Sequence, residues 1–600
     1  MSPPNLHNAN ILASFQTLTF SNVPEKVDPT WLSVDQGQLP TWLNGTMYRV
    51  GGGRFNLGDE SNSSEKGNNG GAQYTIRHAF DGLPFLYRFE FNGKDNTLRF
   101  NSRYIAKDVE KNILARKGNG AIWFGESRKM STWERLKDFA SRFDQMVLRA
   151  KPPSPSSVSL GITTTPNYPL PSSWQASTSN NGNMALVTKS DHNALQKLDH
   201  DTLEPQKIYT YRDYHQNLDG QLAAAHHQYD YETKQTINVT MNVGISKPTL
   251  QVFSIDSNGK TTILATIQHG LDINKTPVRN FYYHSFFTTK NYVVVPVSPM
   301  YYKNNGLDFL LNGSVLGGLE WKPETPTYFH IVDRHHGKGH VATLLGPSYF
   351  AFHTVNGVDY QDANGNIVFE LDCAAYDGKM IYETHAFGDI IRASDYDSYA
   401  AMVTAKQQLS NMKTHHGITY PASHCDAFGD YQRYTLTWDP STTTSPLELT
   451  SVETICTNFD FPRINSAYTF KPHRYVYGCQ VQNPTKKHGE RYALVKVDVL
   501  QKTVLRYEHE DDNGYLCSEP IFVENPKAKE GDDGGEDDGV VLSLVNVFDN
   551  RGSHYDHCYL LVLDAVTFTQ VARIQIGQYT APTFHGSYAD KYSFVSGSFN

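Results

Sequence analysis

Four short stretches, each built around one histidine, constrain this 600-residue chain more than anything else in it. They are Ala225-His226-His227-Gln-Tyr, Phe-Tyr-Tyr-His284-Ser-Phe-Phe, Phe352-His353-Thr-Val-Asn356-Gly and Pro-Thr-Phe584-His585-Gly586. An aromatic residue directly precedes the histidine in three of the four. The histidines are too far apart to share one helix face, which excludes a metal box of the H-E-x-x-H kind. Such spacing suits a closed toroidal fold in which remote strands point residues at a common axis. The chemistry to expect there is one metal ion held by four neutral imidazoles.

The strand-rich reading has support along the chain. With 36 Tyr and 31 Phe, the sequence favours β-structure. From about residue 183 short apolar runs follow one another with turns between: Thr236–Met241, Tyr292–Val297, Asn366–Leu371, Tyr492–Val497 and Val540–Val545. Regular short strands of this kind indicate a sandwich, barrel or propeller. No linker interrupts them, so residues 41–600 read as one domain behind a poorly periodic lead-in at 1–40. A helix is expected over Tyr396–Met412, and Glu530–Asp538 reads as a solvated acidic turn without calcium-loop ligand spacing.

An amphipathic segment within about 110–150 stands apart. Trp133, Leu136, Ala140, Phe143 and Val147 recur at helical spacing over 129–150, among Lys129, Arg135, Lys137, Arg142 and Arg149. One reading packs the apolar stripe on the body. The other sets Trp133, Leu136, Phe143 and Val147 into a membrane surface.

A net charge of −9 spread along the chain argues against a nucleic-acid partner. Six dispersed cysteines without a C-x-x-C pair read as reduced thiols. Neither a signal peptide nor an 18-residue apolar run is evident, so the expected location is the cytoplasm, peripherally on a membrane. The four N-x-S/T sequons are then chance matches. His335, His336 and His340 read as an exposed cluster, as do His415 and His416, and His78 as an ordinary core residue.

Further motifs occur in order with the histidines. Trp42-Leu-Asn-Gly-Thr-Met-Tyr-Arg-Val-Gly and His78-Ala-Phe-Asp-Gly82 come first. Asp230-Tyr-Glu-Thr, Thr289-Lys-Asn-Tyr, Trp321-Lys-Pro-Glu-Thr-Pro-Thr and Glu370-Leu-Asp372 accompany the first three histidines. Phe461-Pro-Arg-Ile-Asn465, Ser518-Glu519-Pro-Ile-Phe-Val and Glu536-Asp-Asp-Gly-Val-Val-Leu precede the last. This set, from about Leu43 to His585, resembles the carotenoid cleavage oxygenase family. It is nearer to the animal β-carotene oxygenases and fungal torulene-cleaving relatives than to stilbene cleavers. His227 and Ser285 stand where that family usually has Pro and Asp.

The resemblance implies a seven-bladed β-propeller with Fe2+ on its axis, held by His226, His284, His353 and His585, under a lid of helices and loops. It implies carboxylates behind the imidazoles, at Glu519, Asp460 and Asp191; the family usually has Glu at the last two. It implies O2 as co-substrate and cleavage of a conjugated C=C bond of a carotenoid or apocarotenoid to aldehydes. The polyene would lie in an apolar tunnel for which Phe80, Trp123, Phe124 and Phe352 are wall candidates. No side-chain acid, base or nucleophile is required. Alternatives within the fold are a stilbene cleaver and a non-oxidative retinoid isomerase; outside it, a non-enzymatic propeller that binds partners through its faces. Specific protein partners are not indicated.

Overall fold

In the computed structural model, the described residues are 22–58, 73–76, 78–125, 131–143, 152–177, 184–243, 247–376, 428–445, 450–482, 491–509, 514–527, 535–548, 557–577 and 583–590. Their strands form seven antiparallel meanders, the blades of a propeller. Five are separate sheets. The sixth and seventh, running from Asp460–Arg463 to Gln570–Gly577, merge through a short parallel pairing of Arg491 and Tyr492 with Tyr515 and Leu516.

The burial gradient across each blade follows from its sequence. In the fourth, Tyr292–Val297 is buried on both faces from Val293 on, as its valine-rich run dictates. The outer strand of the third, Thr261–Ile267, alternates between apolar and exposed positions, the period-2 pattern of a half-solvated sheet. All five strands expected from about residue 183 on are present. Between blades lies a core of closely packed rings and aliphatics, such as Phe85, Phe89, Leu542, Leu560 and Val562 in the interface that joins first to last.

The ring is closed by exchange of termini. His585–Asp590 pairs with Asn44–Arg54 in the first blade, Val50 opposite His585 and Gly45 opposite Asp590. The lead-in also participates: Lys26–Ser33 pairs with Thr97–Tyr104, and Gln36–Gly37 with the strand Gln570–Gly577.

Three expectations change. The acidic turn is not simply solvated: both Glu536 carboxylate oxygens accept backbone N–H groups of Arg474 and Tyr475 at 2.8–2.9 Å, and buried Asp537 pairs with Lys496 at 2.5 Å. Two anions beside the sixth blade satisfy donors that a turn facing water would leave behind. His340 is half-buried, its Nε2 being 3.2 Å from His330 Nδ1, because it opens the strand His340–Gly346 rather than belonging to the turn; His335 and His336 are exposed. The third concerns the amphipathic helix. It spans Thr132–Phe143, and its buried residues are Asp138 and Arg142. Arg142 donates to the carbonyls of Ala121, Leu310 and Leu311 at 3.0 Å each, while Trp133 is 77% and Leu136 54% exposed. The guanidinium satisfies three carbonyls at once, so the helix docks through Arg142 and leaves Trp133 and Leu136 outward.

The Tyr396–Met412 helix, His415, His416, Lys129, Val147, Arg149 and Cys425 lie outside the described residues. The other five cysteines are free thiols.

The closing strand carries a stability prediction. Tyr588 is buried, opposite Met47 and 6.1 Å from the Phe91 ring. Tyr588→Ala should lower the unfolding free energy by about 3–5 kcal/mol, read as a reduced midpoint in guanidinium unfolding.

Candidate metal centre

Each blade supplies one residue to the axis. His226 follows the short strand Leu222–Ala223 of the third. His284 precedes Phe287–Thr288 of the fourth, and His353 lies in Ala351–Gln361 of the fifth. Asp460 opens Asp460–Arg463 of the sixth, and Glu519 precedes Ile521–Glu524 of the seventh. His585 opens the closing strand of the first. Asp191 lies in the turn between Met184–Lys189 and Leu195–Leu198 of the second.

The four imidazoles converge. Ring centroids of His226 lie 4.8 Å from His284, 4.9 Å from His353 and 4.5 Å from His585. Ligand atoms of His226, His284 and His353 fall within 4.8 Å of one another. His353 Nε2 and His585 Nε2 are 3.2 Å apart. All four side chains are buried.

Carboxylates fix three of the rings from behind. His284 Nδ1 lies 2.9 and 3.0 Å from the two Asp191 oxygens. His353 Nδ1 is 2.6 Å from Asp460 Oδ1, and His585 Nδ1 is 2.8 Å from Glu519 Oε1. A carboxylate accepting from Nδ1–H selects the tautomer whose Nε2 bears a lone pair. At His353 and His585 two such lone pairs face each other, an arrangement that repels unless a cation stands between them. His226 has both ring nitrogens buried without a hydrogen-bond partner, a cost that a metal bond removes. The donor set therefore fits a divalent transition metal.

The backbone of the first ligand is pinned elsewhere. The carbonyl of Ala225 accepts from Thr163 Oγ1 and Lys189 Nζ, both at 3.1 Å. His227, a neighbour and not a ligand, turns away to place Nδ1 2.5 Å from Lys189 Nζ. Burial holds both Lys189 and His227 well below their ordinary pKa values.

Electrostatics differ around the ring of ligands. Burial would raise the Glu519 carboxyl, but Arg463 at 2.9 Å, His585 and Arg49 hold it at about 2. His585 is pushed down to about 4, by burial first, against the pull of Glu519. Burial and its three imidazole neighbours keep His226 well below the ordinary histidine range.

A cavity of about 1830 Å³ opens beside the imidazoles and is lined by His284, His353 and His585. Phe80, Trp123, Phe124 and Phe352 all line it, the Phe80 ring standing 5.4 Å from Phe124 and 6.4 Å from Phe352. Phe143, read from the sequence as packed on the body or set into a membrane surface, lines it as well, with Phe139 at 6.0 Å. Of the aromatics preceding the histidines, Phe352 and Phe584 face the cavity, while Tyr283 packs into its blade against Phe281. His78 is buried; its Nδ1 accepts from the Phe80 backbone N–H.

Residue-by-residue reading passes over Tyr282, Tyr376 and Phe461. The last has φ of 56° at a register shift between Asp460 and Arg463, and its ring lies 5.2 Å from His353. A non-glycine residue held there reports local strain at the site. The sequence carries no local signal of this conformation, since the following Pro462 favours extended backbone before it.

A buried metal centre of imidazoles from separate blades, backed by carboxylates and open to an apolar cavity, defines the class. The comparisons place the chain within it. The family model for the retinal pigment epithelial membrane protein, RPE65, matches residues 20–590, and the chain belongs to that family. A carotenoid dioxygenase of Neurospora crassa is 26% identical, covering 96% of this chain and 90% of its own. A torulene dioxygenase of Gibberella fujikuroi is 26% identical (94% and 92% covered), and the β,β-carotene 15,15'-dioxygenase of Mus musculus 26% (94% and 90%). Among solved structures, a mutant of the Synechocystis apocarotenoid oxygenase superposes with a TM-score of 0.65 at 18% identity, covering 97% of this chain and 100% of that one. The cobalt-substituted form of that oxygenase gives 0.61 at 19% (96% and 98%).

The depressed pKa values set a pH dependence. His585 in the folded metal-free protein binds fewer protons than the unfolded chain from pH 6.5 down to about 4, and Glu519 does so from 4.5 down to about 2. Each contribution to stability is complete above the unfolded value and is lost as pH falls through the folded one. The melting temperature of metal-free protein should therefore fall on acidification below pH 6.5, and His585→Ala should flatten the upper part of that curve.

Proposed function

We propose that this protein is a non-haem Fe(II) dioxygenase that cleaves a conjugated C=C bond of a carotenoid or apocarotenoid with O2, giving aldehydes. The observation that carries the reading is the union of four converging imidazoles with a large apolar cavity at their side, in a chain whose full-length relatives are named for carotenoid, torulene and β-carotene dioxygenases.

His226, His284, His353 and His585 would hold the iron. A site of four neutral ligands keeps the ion's full +2 charge and leaves positions for O2. When bound, iron supplies the one-electron and O2 chemistry that no side chain can. The residues of the chain do the rest. Asp191, Asp460 and Glu519 hold their imidazoles in one tautomer and orientation. Phe80, Phe124, Phe352 and Phe584 form an apolar wall against which a stiff polyene can lie. This apolar lining, half-buried at Phe80, Phe124 and Phe584 and buried at Phe352, would limit water at the reacting carbons. No proton transfer by a side chain is required.

The outward face of the Thr132–Phe143 helix supports delivery from a membrane surface. Trp133, Leu136 and Leu307 are exposed apolar residues, Arg135 and Lys137 are exposed cations beside them, and Phe139, Phe143 and Leu307 line the cavity. Apolar side chains at a cavity rim, flanked by basic ones, suit an interfacial helix on anionic lipid. No helix of the described residues is long and apolar enough to cross a bilayer.

Fe(II)-loaded protein mixed anaerobically with β-carotene, torulene or an apocarotenal in detergent, then given O2, should yield aldehydes whose lengths name the bond. His353→Ala should abolish them and the bound iron. Iron bound by the parent with all polyenes intact would move the reading to stilbene cleavage or isomerisation; no iron would leave a binding propeller. Replacing Trp133 and Leu136 together by Ser should reduce sedimentation with anionic vesicles while iron content stays unchanged; undiminished sedimentation would refute the membrane reading.

A further inference from the structure

The three carboxylate–imidazole pairs are built in two ways. Glu519 reaches its imidazole with the longer side chain, and its oxygens are otherwise engaged by Arg463 at 2.9 Å and the Gly586 N–H at 2.9 Å. Asp191 and Asp460 are one methylene shorter, and each takes a phenol in addition to its imidazole. Tyr282 Oη donates to Asp191 Oδ2 at 2.8 Å and lies 3.4 Å from His284 Nδ1. Tyr376 Oη donates to Asp460 Oδ2, while Oδ1 takes His353 Nδ1 and the Phe461 N–H at 2.7 Å.

Both tyrosines are buried and both line the cavity. Their rings flank Phe352 at 6.3 and 5.7 Å, and Tyr282 stacks on Phe350 at 5.6 Å. Packing locks the rings, so the hydroxyls are fixed points against which a short carboxylate can be oriented. Asp191 needs one most: its side chain retains 17% exposure, and without the Tyr282 hydroxyl its orientation would rest on His284 Nδ1 alone.

We infer that Tyr282 and Tyr376 are positioning residues, each completing with its aspartate the orienting role that Glu519 performs with a longer side chain and an arginine. The inference rests on the four-imidazole reading of the metal site. Orientation acts on the ligands His284 and His353 through the carboxylates, so the phenols influence metal affinity without touching the metal. Removing a hydroxyl would also strengthen its carboxylate as an acceptor, which alone would raise ligand basicity; the geometry gives orientation the larger effect, because the carboxylate then loses the contact that sets its plane.

Tyr→Phe keeps the ring in the cavity wall and isolates the hydroxyl. Co(II) is the probe, its affinity measured by competition with a chelator and its geometry by visible absorption. Tyr282→Phe and Tyr376→Phe should each bind Co(II) about tenfold more weakly, the lower end of what loss of such a partner does, with altered absorption and an unchanged melting temperature of the metal-free protein. Lengthening the acid should make the phenol dispensable: Asp191→Glu with Tyr282→Phe, and Asp460→Glu with Tyr376→Phe, should return to within about threefold of the parent, the signature of coupled sites. Parental or tighter affinity in both Tyr→Phe variants would overturn the inference, as would double variants no better than the single ones. Should the parent itself bind no Co(II), or His353→Ala bind it equally well, the four-imidazole reading falls and takes the inference with it.

Discussion

Everything at the axis depends on one strand pairing. The register of His585–Asp590 against Asn44–Arg54 sets Val50 opposite His585, and a slip of one residue would turn that imidazole from the axis into a blade. The same pairing fixes the circumference of the ring and with it the distance between imidazoles contributed by opposite blades. Arg49 ties the closure to the site chemically: fully buried, it donates to the Glu519 carbonyl at 2.8 Å and to Thr583 Oγ1 at 2.7 Å. Ring geometry and ligand geometry are thus one constraint.

Charge at the centre follows a simple pattern. Asp191 and Asp460 bring two negative charges behind neutral imidazoles, the complement of a divalent cation. Glu519 is matched separately by Arg463, with Arg49 close by. Buried charges persist when paired and hydrogen-bonded, and here each carboxylate has a donor beyond its imidazole. The apolar cavity begins where this polar ring ends, so an apolar ligand and a metal ion would each meet surroundings suited to them.

The sequence was most legible where a residue type has one strong reason to be in place. The four histidines and the carboxylates Asp191, Asp460 and Glu519 converge as expected, as do the strands with valine-rich runs. Of the lining aromatics, Phe80, Trp123, Phe124 and Phe352 were accessible, while Phe584, although it adjoins His585, was not singled out. Tyr282 and Tyr376 were not, because a tyrosine beside other aromatics is indistinguishable by sequence from core packing until its hydroxyl's partner is known. The Thr132–Phe143 helix left two readings open for a related reason. Hydrophobic periodicity predicts which face is apolar, not which faces inward; three backbone carbonyls around Arg142 decided that. Glu536 likewise found partners about sixty residues away that no local pattern records.

Placing one ligand in the closing strand also gives the site a history. During synthesis the segments bearing His226, His284 and His353 emerge long before His585, which the ribosome releases only after more than two hundred further residues. Three imidazoles without the fourth, and without the closure that fixes their spacing, form a poorer and less selective trap for the commoner cellular metals. The nascent chain therefore meets cellular metals in an order dictated by topology, with discrimination deferred until the ring is shut. A metal ion bound after closure would have the cavity beside His284, His353 and His585 as its open approach.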